Sequence, residues 1–351
     1  MSLIKRAVRE LPRYEVPQDG RVVKLNQNEF PRDLPEVIKR EVLRRLAETP
    51  WQRYPDGEAA DLVSALAGYA GVSKECVLVG NASNELIQTL IAATCDSGDS
   101  IVTVTPGFAV YGRVASTLGV QVREVPLRPD FSFDPEALVA AAAAARAVIF
   151  ANPNNPTGTW LPVADIEELA ARVKCLVCVD EAYFEFHGET ALPLLRNYGN
   201  LVLLRTFSKA FRLAGVRLGY LLGPPHVVAD LAKARLPFSV GVLQQIAGEV
   251  VIAHHQLLGQ EIQQVVQQRE ELIAALQGIE GMEVVRSRAN FVLFRHRNVP
   301  APVLFAALRR RGVLVRAFGG ILSQWLRVTV GTPAETQAFL QALAHALAEG
   351  A

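Results

Sequence analysis

A lysine delivered by a buried strand into a turn is a candidate nucleophile, and Lys209 stands in such a place. The apolar run Leu201 to Leu204 reads as a buried strand that carries Ser208 and Lys209 into a Gly-punctuated turn. An amine attacks a carbonyl only after its ammonium loses a proton, which desolvation and a nearby cation such as Arg217 both favour. Arg217 does not titrate, and its planar fork suits a phosphate. The pair Ser208-Lys209 by itself also fits an ordinary surface turn. Leu176-Val177-Cys178-Val179-Asp180-Glu181-Ala182-Tyr183 puts a carboxylate where a second apolar strand runs out. A buried carboxylate needs a cationic or donor partner, although a strand-end Asp can simply cap a helix. Gly80-Asn81-Ala82-Ser83-Asn84-Glu85 opens a helix after a strand, so its free amides form a phosphate seat without a basic residue. A capping box from Ser83 or Asn81 with a downstream acid is the alternative there. Phe108, in a Gly/Pro turn, offers a ring that can lie on a planar ligand or pack in the core. Asn152-Pro153-Asn154-Asn155-Pro156-Thr157-Gly158 makes a rigid turn that leaves the Asn155 amide free to donate.

These groups need a scaffold that brings strand ends together. Apolar strand candidates are Cys76 to Val79, Ile101 to Thr105, Val120 to Val125, Ala147 to Ala151, Leu176 to Val179, Leu201 to Leu204 and Val216 to Leu222. Helical patterns alternate with them, and their lack of strict alternation implies burial on both faces. The expected fold is therefore α/β, with a seven-stranded, mostly parallel sheet flanked by helices. Ligands in such sheets sit at the strand ends. Residues 1–35 read as an irregular arm, 36–245 as the large domain and 246–351 as a smaller C-terminal α/β domain. A nearly unbroken helix from Val240 to Leu276 bridges the two. In the small domain Val284-Val285 and Asn290 to Phe294 read as strands and Pro302 to Arg310 as a helix. Gly312 to Arg316 and Trp325 to Thr332 read as two further strands, each with one arginine.

Half of the 351 residues are hydrophobic and 20% are charged, with formal net charge +1, which is an ordinary globular composition. No basic stripe interleaved with aromatics suggests a nucleic acid, and no apolar run is long enough to cross a bilayer. Met1 to Glu10 has no continuous apolar core, so no secretory signal is read there and a cytoplasmic location is expected. Four cysteines do not make a disulfide framework in a chain this long, and Cys175 and Cys178 read as buried structural thiols. His254-His255 reads as a solvated helix face, and no metal site is expected.

The string Ser208-Lys209-Ala210-Phe211-Arg212-Leu213-Ala214-Gly215-Val216-Arg217-Leu218-Gly219-Tyr220 resembles the Schiff-base motif of fold-type I pyridoxal-phosphate aminotransferases, specifically the histidinol-phosphate aminotransferase group. The resemblance extends over nearly the whole chain, with its parts in the family's order. It implies that Lys209 joins the cofactor covalently and that Arg217 holds its phosphate, with Thr206 and Ser208 among the cofactor contacts. It implies further that the amides of Ser83 and Asn84 meet the same phosphate, although this chain has Ala82 for a family glycine and Asn84 for an aspartate. Phe108 takes the ring-stacking position, often a tyrosine, while Asn155 and Tyr183 meet the phenolate oxygen and Asp180 the ring nitrogen. The arm Leu25-Asn26-Gln27-Asn28-Glu29-Phe30-Pro31 matches a segment that closes over the site, and Tyr14 matches an arm tyrosine that approaches substrate. Arg53-Tyr54-Pro55-Asp56 matches an element whose tyrosine reaches the neighbouring subunit's phosphate, which implies a homodimer. Arg327 matches the clamp for the substrate carboxylate, and Arg316 the arginine that meets a substrate phosphate. The implied reaction is amino transfer from L-histidinol phosphate to 2-oxoglutarate. An aromatic-amino-acid aminotransferase, a threonine-phosphate decarboxylase and a cofactor-binding regulator without turnover are the alternatives.

Overall fold

The computed structural model describes residues 3–13 and 22–349. The arm contributes one short strand, β1 (Val23–Lys24). Runs carrying Val, Ile and Leu then form β2 (Val77–Asn81), β3 (Ser100–Thr105), β4 (Gln121–Pro126), β5 (Ala147–Ala151), β6 (Leu176–Asp180), β7 (Leu201–Thr206) and β8 (Leu218–Leu222). They make a seven-stranded sheet in the order β2-β8-β7-β6-β5-β3-β4. All seven expected strands are present, with ends displaced by up to two residues. Burial on both faces holds for the inner strands, and every residue of β5, β7 and β8 is buried. It fails for β4, where Gln121, Arg123 and Glu124 are exposed because an edge strand is covered on one side only.

One reversal in this sheet builds the site. β8 runs antiparallel to both β2 and β7, while β3 to β7 pair in parallel. The connection after β7, residues 207–217, therefore does not cross over the sheet. It turns back at the carboxyl ends of the parallel strands, so Lys209 and Arg217 stay at the edge where Asp180 ends β6. Gly219 must be a glycine there. A Cβ on it would lie 2.4 Å from the Ser83 nitrogen and 2.7 Å from the Ala82 carbonyl carbon, far inside contact distance.

A second sheet, β12-β13-β10-β9, is antiparallel throughout and comprises β9 (Met282–Val284), β10 (Phe291–His296), β12 (Arg316–Ala317) and β13 (Leu326–Thr329). The strand expected over Gly312 to Arg316 is divided. Its first part, β11 (Val313–Leu314), pairs in parallel with β1, and only the second part, β12, joins β13. The arm is thus not wholly irregular, since β1 satisfies the exposed edge of β11. The helix expected from Val240 to Leu276 is likewise two helices, Val242–Ala253 and His255–Gln277. They meet at His254, whose backbone leaves helical geometry at φ −108°, ψ 15°. His254 and His255 are half-buried, and each ring nitrogen Nδ1 faces a backbone carbonyl, so they are not a solvated face. Cys178 is buried as expected, whereas Cys175 precedes β6 and is only half-buried.

One apolar core joins the sheets, taking in Phe150 and Leu203 from the large one, Val251 from the helix between, and Phe291 and Phe339 beyond. Each such side chain contributes about 1.5–3 kcal/mol by leaving water. The opposite face of the large sheet packs on a second core that includes Ile87, Ile149, Val202 and Leu221. Among the described residues, no helix is long and apolar enough to cross a membrane.

Candidate active site

The carboxyl ends of the parallel strands open into a cavity of about 750 Å³. Its lining brings together residues that are far apart in the chain: Ser83, Asn84, Phe108, Asn155, Asp180, Tyr183, Thr206, Ser208, Lys209, Arg217, Arg316 and Arg327. Two expected residues are not among them. Tyr14 lies outside the described residues. Tyr54 is 83% exposed and stacks on Phe238 with ring centroids 4.9 Å apart, so it does not reach the cavity of its own chain.

Lys209 turns its amine toward the arm, where Nζ donates to the Gln27 carbonyl at 3.0 Å. Burial pushes this amine down to about 7, and repulsion by Arg327 adds to the effect. Glu29 opposes the shift, and Arg217, the cation named from sequence, contributes less than Arg327. Near neutral pH a substantial fraction of the amine is therefore unprotonated and nucleophilic.

Asp180 is 3% exposed and accepts two hydrogen bonds. The Ala182 amide donates to Oδ1 at 3.1 Å and the Tyr111 hydroxyl to Oδ2 at 2.8 Å. Burial outweighs both donors and pushes the carboxyl up to about 6. A cation placed against it would restore its charge, and a protonated heterocycle is of the right kind.

Helix Ala82–Thr94 starts at the same cavity without a side-chain cap. Neither Asn81 nor Ser83 caps it; the Glu85 carboxylate instead reaches back to the Asn81 amide at 2.5 Å. First-turn amides thus face the cavity mouth, as an anion requires. Arg217 is tied to the same place, since its carbonyl accepts from the Ala82 amide at 3.0 Å and from Gln244 Nε2 at 2.8 Å. Its Nη1 donates to the Ser208 hydroxyl at 3.2 Å, while Thr206 Oγ1 accepts from the Ser208 amide at 3.1 Å. Arg217, Ala82 and Asn28 all adopt left-handed backbone, with φ of 63°, 61° and 54°. Such strain costs of order 1–3 kcal/mol per residue and gathers where function needs an unusual backbone.

The arm closes the other side. Asn28 Nδ2 and Asn155 Nδ2 donate to the Tyr183 hydroxyl at 3.0 and 3.2 Å. Arg327 is 6% exposed and donates to Asn155 Oδ1 at 2.6 Å and to the Asn26 carbonyl at 2.8 Å. Arg316 and Arg327 are register partners across β12 and β13. Like charges set opposite each other on a sheet destabilise it unless an anion compensates them, and both side chains line the cavity.

Asn28 and Tyr111 touch the site without any individual expectation from sequence. Asn28 lies within the string Leu25 to Pro31 and Tyr111 three residues beyond Phe108, yet only the folded chain shows where each side chain goes. The assembly can seat a phosphate, hold a charged heterocycle against Asp180, present an amine to a carbonyl carbon and clamp a further anion.

Known proteins share this arrangement of elements. The family described as aminotransferase class I and II matches residues 20–343. A histidinol-phosphate aminotransferase of Gloeobacter violaceus is 41% identical over 327 residues, covering 92% of this chain and 91% of that protein. A histidinol-phosphate aminotransferase 1 of Carboxydothermus hydrogenoformans is 39% identical over 345 residues, covering 98% of each. The crystal structure of histidinol-phosphate aminotransferase from Sinorhizobium meliloti in complex with pyridoxal-5'-phosphate superposes with a TM-score of 0.90 at 24% identity, covering 100% of this chain and 99% of that one. From a reactive lysine and an acid at the ends of a mostly parallel sheet, through to relatives that align nearly end to end, the chain belongs to the class I and II aminotransferase family.

Proposed function

We propose that the protein is a pyridoxal-phosphate-dependent aminotransferase that converts L-histidinol phosphate and 2-oxoglutarate to imidazole acetol phosphate and glutamate, in histidine biosynthesis. The relatives' names support this substrate, and so does the pairing of Arg316 with Arg327 across two strands at the cavity wall. That pairing carries the reading. Two arginines opposite each other on neighbouring strands of one cavity wall can serve one phosphate dianion, or the two carboxylates of glutamate, so one site would serve both amino donors.

The residues present fit the cofactor. The first-turn amides of Ser83 and Asn84 with Arg217 and Ser208 would hold its phosphate, Phe108 would cover its ring, and Asn155 and Tyr183 would meet its phenolate oxygen. When bound, pyridoxal phosphate supplies an electron sink that lowers the cost of removing the substrate's Cα proton. The Asp180 carboxylate would pair with the ring nitrogen and keep it protonated. Lys209 Nζ would take the substrate's Cα proton as general base and, as general acid, deliver it to the cofactor's C4′. An amine near 7 is matched to both tasks. Arg327, held by Asn155 and the Asn26 carbonyl, orients the substrate.

Arg316→Ala tests the substrate. Loss of a charge-assisted contact should raise KM for L-histidinol phosphate by roughly 10–100-fold and leave transfer from phenylalanine or tyrosine unchanged. An unaltered KM for the phosphorylated donor would favour an aromatic-amino-acid aminotransferase, and release of carbon dioxide a decarboxylase.

The working unit in this reading is a cytoplasmic homodimer, with Tyr54 given to the partner's phosphate seat. Its support is the exposed Tyr54 ring, with Trp51 and Leu236 exposed as well; the four thiols, all unpaired, suit a reducing compartment. Sedimentation equilibrium at micromolar concentration should give twice the chain mass, and a fully active monomer would remove this part of the reading.

A further inference from the structure

Tyr111 is 1% exposed and sits in the first turn of helix Val110–Leu118, three residues after Phe108. Its ring meets that of Phe108 edge-on, with centroids 5.4 Å apart and planes at 83°. Its hydroxyl goes to Asp180 Oδ2 at 2.8 Å, while the Ala182 amide holds Oδ1. The phenol thus stands behind the carboxylate, outside the residues that line the cavity. A donor on each oxygen fixes the carboxylate plane and leaves its remaining lone pairs for a ligand.

We propose that Tyr111 is a positioning residue, which orients the Asp180 carboxylate and keeps it ionised for the cofactor's ring nitrogen. This rests on the cofactor reading given above. The other groups facing Asp180 do not substitute for the phenol. Lys209 favours the ionised acid through space, and Glu181 opposes it while bound to Arg205 at 2.9 Å. Cys178 and Tyr183 lie beside the phenol, and the Cys178 thiol is held well above its usual range by burial. Burial likewise keeps the Tyr111 phenol protonated, so it donates at every working pH.

The test is the pH dependence of pyridoxal phosphate affinity, measured by titrating the apoprotein. Tyr111→Phe removes one donor from a charged acceptor and should move the midpoint of that dependence up by about one unit. Near pH 6.5 binding weakens roughly threefold and near pH 5 by close to tenfold, whereas near pH 9, where the acid is ionised in both proteins, the affinities converge. Fluorotyrosine placed at position 111 is a stronger donor of nearly the same shape, and should move the midpoint the other way even if the phenylalanine variant fails to fold. A merely structural tyrosine would not give shifts of opposite sign. Profiles that superimpose on the parent's overturn the proposal. Asp180→Asn separates the two readings, because it should remove the step near pH 6 and leave only the one that belongs to Lys209. If it does so while both changes at Tyr111 leave the profile in place, only the role of Tyr111 falls. If the apoprotein takes up no pyridoxal phosphate, the cofactor reading falls and takes this one with it.

Discussion

Replacing Lys209 by alanine should lower amino transfer by roughly 10⁴-fold or more. General acid–base catalysis alone contributes about 10²–10⁴-fold, and this residue also supplies the nucleophilic amine. Among the described residues, no other lysine lines the cavity. Burial and the guanidinium of Arg327 keep the amine near 7, so part of it is reactive at neutral pH without help from a neighbouring base. Capture of pyridoxal phosphate by the parent apoprotein should accordingly quicken as pH rises through about 7. Two measurements decide it: single-turnover amino transfer, and peptide mapping after borohydride reduction of the holoprotein. A label on a residue other than Lys209, or an alanine variant that keeps a hundredth of the parent rate, would refute the assignment.

Asp180→Asn should make the apoprotein more stable and the enzyme far worse. Burial disfavours the charge of the Asp180 carboxyl and pushes it from its ordinary 3.8 up to about 6 in the folded chain. Folding therefore favours the protonated acid. The stabilisation this gives is fully present below about pH 4 and is lost as pH rises through 6. Above that the buried charge costs up to about 3 kcal/mol, which a neutral asparagine does not incur. At pH 8 the apo variant should accordingly melt several degrees above the parent, and the gap should close at pH 4. The same substitution removes the charge that would keep the bound heterocycle protonated, and turnover should fall by roughly 10³-fold. Calorimetry of the apoproteins at the two pH values, with steady-state kinetics of the loaded enzymes, tests both halves. An apo variant no more stable than its parent at pH 8 would show that Asp180 is not desolvated. A variant with parental turnover would show that its charge does no catalytic work.

Much of this was legible before folding because it is local. An apolar run that ends in Asp180, or in Thr206 ahead of Lys209, states by its own composition that a polar group stands where a buried strand stops. The errors came where a second segment decides the outcome. Val313 to Arg316 is continuously apolar up to its arginine, yet β1 claims the first half and β13 the second. His254 lies inside a helical pattern, and nothing in that pattern marks the break. The exposure of β4 follows from its place at the sheet edge, which depends on strand order.

The chain's own sequence settled which chemical groups exist and which ends of which elements carry them, because side-chain type and strand or helix periodicity are properties of neighbouring residues. Tertiary structure alone decided their partners. The reversed β8 keeps Arg217 beside Lys209, the arm brings Asn28 to Tyr183, and helix Val110–Leu118 sets the Tyr111 hydroxyl against Asp180. Those contacts join residues 69 to 155 positions apart where the arm and the helix are concerned. They form only when burial in a shared core closes the intervening chain, so no local pattern encodes them.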